Sequence, residues 1–202
     1  MAVKRPYNGY DSLDREEYYG RLVFPQHPSF FNQVFQSLNT SLTVGRAVTF
    51  RQLSFGDRPA VAVRELGVPR HVIENQGMSS EILFYKEKIN DLRVITQLHF
   101  YRDELFCASY TFRHENNESR LAIKRMLFEK YAGPDGVALE GHLSLTDGFG
   151  NSINIVDSVF LHILYLWGDE KIQRAVSGYA RSIHFAESLK KKKFRDELFG
   201  KL

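Results

Sequence analysis

From about Ser80 to Trp167 the chain alternates apolar and polar residues in long runs, broken by one segment of helical period. A period of two sends successive side chains to opposite faces of a pleated strand, so this stretch must be built mainly of sheet. Almost every ionisable side chain in it falls opposite the apolar stripe. That placement predicts charge left in water and a scaffold without a catalytic constellation. The 16 Phe and 10 Tyr point the same way, because flat rings fit a half-buried pleated surface better than a crowded helical turn. With 202 residues, 43% of them hydrophobic, the chain can bury a core as one large domain or two small ones.

Extended segments are expected near 71–75, 81–89, 92–101 and 104–113, with links short enough for an antiparallel meander. In the third, Leu92, Val94, Leu98 and Phe100 share one face, and Arg93, Gln97 and His99 share the other. Further on, Val137, Leu139, Leu143 and Leu145 lead into the turn Asp147-Gly148-Phe149-Gly150-Asn151. The alternation then resumes through Ile153, Ile155, Val159, Leu161, Ile163, Tyr165 and Trp167, which predicts a hairpin with one long second arm. Leu42, Val44, Val48 and Phe50 suggest another strand over 42–53.

Four helices are expected. Ser29 can cap one over 29–38, with an apolar stripe of Phe30, Phe31, Val34, Phe35 and Leu38. Asp57 can cap the next, which has Pro59 in its first turn and ends at Leu66, with Gly67 as left-handed cap and Pro69 beyond. Asn116 or Asn117 starts a third, whose Ile123, Met126, Leu127 and Tyr131 make the buried stripe before Gly133-Pro134 stops it. From Asp169 a C-terminal helix carries Ile172, Val176, Tyr179, Ile183 and Ala186. Residues 1–28, punctuated by Pro6, Gly9, Gly20, Pro25 and Pro28, read as an irregular arm whose tyrosines can pack on the body or on a partner.

The expected organisation is therefore an arm over 1–28, a single α+β domain over 29–189 and a basic tail over 190–202. The domain holds an antiparallel sheet of about six or seven strands, with helices on one face and a C-terminal helix. Between 168 and 202 nine Lys or Arg stand against five Asp or Glu, so this segment carries +4 and the remainder −1. The basic character is local.

Cys107, the single cysteine, cannot form an internal disulfide, and Phe106 and Ala108 beside it suggest a thiol packed in the sheet. The first thirty residues lack the apolar run of an export signal, and no stretch reaches the roughly 18 apolar residues of a membrane span. A cytoplasmic protein is expected, with no membrane contact.

No phosphate-binding Gly-rich loop, dinucleotide fingerprint, paired-cysteine cluster, His-Glu-x-x-His helix or Gly-x-Ser-x-Gly elbow is present, so no catalytic residues, metal or cofactor are assigned. His99, His142 and His162 lie opposite the apolar stripes and are candidate ligand-binding residues if neighbouring strands bring them together; otherwise they face solvent or bond locally. Asp147, Asn151, Asn154 and Asp157 surround a Gly-containing turn, where oxygen-rich loops can hold Ca²⁺. Their spacing does not complete such a loop, and a plain turn selects the same residues. Lys190, Lys191, Lys192, Lys193 and Arg195 can contact phosphates, or can be the solvated end of a helix whose dipole favours cations. Tyr101–Phe106 and Phe194–Phe199 both end in Arg-Asp-Glu-Leu-Phe, a coincidence between a strand hairpin and a helical tail.

The order Phe55-Gly56-Asp57, a short helix with Val61 and Val63, Leu66-Gly67-Val68-Pro69, Phe84-Tyr85 and Leu98-His99-Phe100-Tyr101-Arg102-Asp103-Glu104-Leu105 resembles outer-membrane assembly lipoproteins of the SmpA/OmlA type, the BamE-like proteins. These share a helix-then-three-strand unit with the β-lactamase-inhibitor-protein fold. The resemblance covers residues 54–105 and implies a helix feeding an antiparallel sheet that binds other proteins without catalysis. The chain departs from that family in carrying no lipid-attachment cysteine near its start, which removes the membrane role.

The expected function is thus a non-catalytic protein-binding or adaptor module of bacterial type, meeting a protein partner through the sheet, the arm or the tail. One alternative is a small-ligand carrier or enzyme with a pocket between sheet and helices. Another is nucleic-acid binding through the basic tail.

Overall fold

The computed structural model describes residues 18–19, 41–75, 79–113, 116–133 and 143–178, together with 189, 193, 195 and 199. Its strands are β1 (Ser41–Thr43), β2 (His71–Asn75), β3 (Ser80–Ile89), β4 (Leu92–Tyr101), β5 (Glu104–Phe112), β6 (Leu143–Thr146), β7 (Ser152–Asp157) and β8 (Leu161–Leu166). Its named helices are α1 (Pro59–Leu66) and α2 (Asn117–Ala132), and residues 170–178 are also helical. The eight strands form one sheet in the order β1-β6-β7-β8-β5-β4-β3-β2. All neighbours are antiparallel except β1 and β6. The sheet thus exceeds the expected six or seven strands.

Two tight reversals build the meander. Asn90-Asp91 joins β3 to β4 and Arg102-Asp103 joins β4 to β5, all four residues at positive φ, the backbone twist that suits a two-residue hairpin. After β5 the chain crosses by α2 to β6, and β8 returns to pair with β5. Asn116 caps α2 by accepting a hydrogen bond from Ser119 N at 2.8 Å. Asp57 does not cap α1. Its carboxylate accepts from Ser54 N at 2.7 Å and ties the preceding turn, while Pro59 opens the helix at a position that needs no donor.

One sheet face carries the main core: Leu83, Val94, Leu98, Phe100, Ala108, Phe112, Ile153, Leu161, Ile163 and Tyr165, covered by α1, α2 and the segment Val44–Leu53. In α2 the buried stripe is Ile123, Leu127, Phe128 and Tyr131, and Met126 is 57% exposed. The expected stripe therefore turns by a fraction of a helical step, from Met126 to Phe128. The expected strand over 42–53 contracts to β1 and an isolated bridge between Phe50 and Leu53. Val44, Val48 and Phe50 are nonetheless buried, because Asp147 holds the Val48 N–H at 2.8 Å in place of a strand partner.

The named helices α1 and α2 share the main-core face, and the expected C-terminal helix covers part of the opposite one. Ile172 and Val176 of the C-terminal helix pack on Phe106, Cys107 and Leu166. Tyr19, in a helical turn with Tyr18, packs on Phe84 and Ile95 and stacks on His71 with ring centroids 4.4 Å apart. The expected second arm 153–167 is two strands. The chain reverses at 158–160, and Val159 at the tip is 81% exposed. The remainder of the expected arm over 1–28, the expected helix over 29–38 and the strand positions Val137 and Leu139 lie outside the described residues. No described helix is long and apolar enough to cross a membrane.

Candidate functional site

The sheet ends in a step. β2 pairs with Ser80–Phe84 of β3 and no further, because the chain enters β2 through Pro69, which has no N–H with which to continue a ladder. The last rung is Arg70 N to Phe84 O at 2.7 Å. In a strand both backbone groups of a residue point to the same side, and the side alternates. Phe84 faces β2, so Lys86 and Lys88 also direct their N–H and C=O away from β4, and no described strand takes them up.

A cleft flanks this edge on each face of the sheet. On the α1 side a cavity of about 400 Å³ is lined by Arg51, Leu66, Val68, Arg70, Tyr85 and Glu87. On the other side a cavity of about 430 Å³ is lined by Tyr18, Lys86, Lys88, Arg93, Ile95 and Arg113. Both are rich in cations. In the first, Arg51 pairs with Glu87 at 2.5 Å and donates to Tyr110 Oη at 2.7 Å. Burial opposes the Arg51 charge, but the bonds to Glu87 and Tyr110 outweigh it and raise its pKa. Thr96 donates to the same Glu87 oxygen, and Arg70 lines the cleft without an ion pair to a described residue.

The second cleft is more strongly basic. Lys88 and Arg93 are direct cross-strand partners, and Arg113, the residue just after Phe112 at the end of β5, lines the same cleft. Lys86 Nζ lies 4.5 Å from the Tyr18 ring centroid, and Arg113 donates to Tyr18 Oη at 3.1 Å. Lys88 pairs with Asp91 at the turn, both well exposed.

The histidines do not make a common site among the described residues. His99 on β4 and His162 on β8 share the face opposite the main core, yet they stand two strands apart and four residues out of step, on the order of 16 Å. They are buried, not solvent-facing, at 4% and 6% exposure. Burial lowers the His99 pKa to about 4, and burial with the nearby Arg120 charge lowers that of His162 to about 4. His162 Nδ1 lies 3.1 Å from Thr111 Oγ1. His142 lies outside the described residues. Burial pushes the Cys107 thiol up to about 12, so it stays protonated and a poor nucleophile.

Alternation alone did not foresee that much of the polar half of the pattern is interior. Gln97, Ser109, Asn154 and Ser144 form one buried row across the sheet, interrupted by Leu164. Ser109 Oγ, Ser144 Oγ and Asn154 Oδ1 have no hydrogen-bond partner among the described residues. The turn 147–151 is held from within and serves the fold. Asp147 accepts from Val48 N, Phe149 N, Asn151 N and Asn151 Nδ2 at 2.8–3.0 Å, and Asp157 is bound by Arg120 and Lys124. No cluster of metal-ligating side chains occurs among the described residues. Lys193 and Arg195 are helical and exposed, and Lys190, Lys191 and Lys192 lie outside the described residues.

Comparison with protein-family models, curated proteins and solved structures returns no match to the chain.

Proposed function

We propose that the protein is a binding module that accepts an extended, acidic segment of a partner protein as an additional strand beside Lys86 and Lys88. The carrying observation is the pair of outward-facing backbone positions set between two clefts. An added strand sends alternate side chains to alternate faces, so its successive residues would enter one cleft and then the other. Lysines on an open edge also deter pairing with a second copy of the same edge, where like charges would meet. The same lysines favour an acidic guest. The protein-binding sheet implied by the SmpA/OmlA resemblance agrees with this reading.

Isolated exposed apolar residues support it less. Val68, Phe149 and Val159 stand on three separate turns and form no shared patch.

Selection from a displayed library of random peptides of about ten residues, the length of a typical strand pair, tests the reading. The selected peptides are expected to carry Asp or Glu with β-branched residues between them. Their binding is expected to disappear in Lys86→Pro, which removes an outward N–H at a position where the edge tolerates proline. Selected peptides that bind Lys86→Pro as well as the wild type would refute it.

A further inference from the structure

The cleft on the face opposite α1 contains more positive charge than strand addition needs. Lys88 and Arg93 face each other directly across β3 and β4, and Arg113 extends the row to the strand beyond. Like charges directly opposite in a sheet repel and destabilise it, so folding alone does not favour this row. The compensating acid is slight. Glu87, the one carboxylate among the described residues lining the cleft, is turned to the other face by Arg51 and Thr96, and Asp91 meets Lys88 in an exposed pair of little worth. Arg93 forms no ion pair with a described residue, and the Arg113 Nε is buried without a hydrogen-bond partner among them. Tyr18 closes one side by lying over Lys86 and accepting from Arg113. Ile95 supplies an apolar floor.

We infer that this cleft binds a small molecule bearing a multiply charged phosphate or polyphosphate group. Cations set one strand spacing apart, about 4.8 Å, can each meet a different oxygen of a phosphate chain. A single carboxylate would leave most of the row uncompensated. A volume of about 430 Å³ suits a ligand of nucleotide size. The site shares its cleft with the strand-addition reading but uses different groups: side chains that cross the sheet face, not the outward N–H groups of Lys86 and Lys88.

Isothermal titration calorimetry of the full chain with sodium tripolyphosphate tests the inference. Saturable one-site binding is expected, weakening as salt rises because each cation that meets phosphate releases counterions. Arg93→Gln should weaken it about tenfold, and Lys88→Gln with Arg93→Gln further, since each removes a charge-assisted contact. Arg125→Gln, which removes an exposed cation from α2, should leave it unchanged. Lys86→Pro retains the Lys88, Arg93 and Arg113 row and should retain most of the binding, so loss of peptide capture with retained tripolyphosphate binding separates this site from strand addition. Absence of saturable heat, or equal affinity in the Lys88→Gln/Arg93→Gln protein, overturns the proposal. So does binding of a single-stranded oligonucleotide without binding of tripolyphosphate, which would assign the row to nucleic acid.

Discussion

Asp147 is the residue on which two distant parts of the chain depend. Its carboxylate closes the β6–β7 turn and at the same time fixes the Val48 N–H, which sits beside the core with no strand partner. Asp147→Ala leaves those buried donors unsatisfied and should destabilise the fold by about 3 kcal/mol in urea unfolding. A loss below about 0.5 kcal/mol would show that the turn closes without it. The two buried histidines give a second residue-level expectation. Each is neutral in the folded chain down to about pH 4 and titrates near 6.5 once unfolded. Between those values the unfolded chain binds protons that the folded chain does not. Stability is therefore full above roughly 6.5 and falls as pH descends towards 4, by up to about 1.4 kcal/mol per pH unit for each ring. The urea midpoint at about pH 5 should lie well below that at about pH 7.5. His99→Phe, which keeps a ring beside Phe106 and removes the Nε2 that has no hydrogen-bond partner among the described residues, should recover part of the difference. An unchanged pH dependence in that variant would contradict the assignment.

At the scale of elements, the sequence was readable where period and punctuation agree. The strands over 71–113 and α2 with its Asn116 cap follow from alternation, tight turns and helical spacing together. The β7–β8 reversal was invisible for a specific reason. Its register pairs Asp157 with Leu161, odd with odd, so the apolar positions keep the same parity on both sides of the turn and the pattern runs through it unbroken. The repeated Arg-Asp-Glu-Leu-Phe shows the limit of local sequence in another way. Arg102 and Asp103 make a turn and Glu104–Phe106 lie in β5, whereas Arg195 and Phe199 are helical. Surrounding contacts, not the pentapeptide, decide its conformation. In the turn, Arg102 adopts φ 51°, a region that costs a residue with a Cβ roughly 1 kcal/mol. Arg102→Gly should therefore raise stability by about 0.5–1 kcal/mol, read as a higher midpoint in thermal unfolding. A lower midpoint would mean that the Arg102 contact with the Tyr101 ring outweighs the strain.

At the scale of the whole molecule, much of the second sheet face is interior as well, and this is where the sequence was least informative. Alternation distinguishes a polar face from an apolar one, but not a wet polar face from a covered one, so Gln97, Ser109 and Asn154 gave no sign of being buried. Nor did the pattern single out Lys86, Lys88, Arg93 and Arg113, which look in sequence like ordinary charges on an outward face. Their meaning comes from register: β2 stops at Phe84, and the strands bring the cations into one row. The hypothesis of an open edge has a direct test in residue-resolved amide hydrogen exchange of the free protein. Tyr85 and Glu87, whose N–H groups face β4, should exchange slowly, while Lys86 and Lys88 should exchange at nearly the rate of an unprotected amide. Slow exchange at Lys86 and Lys88 in the absence of any added peptide would mean that the edge is already occupied, and would contradict the account.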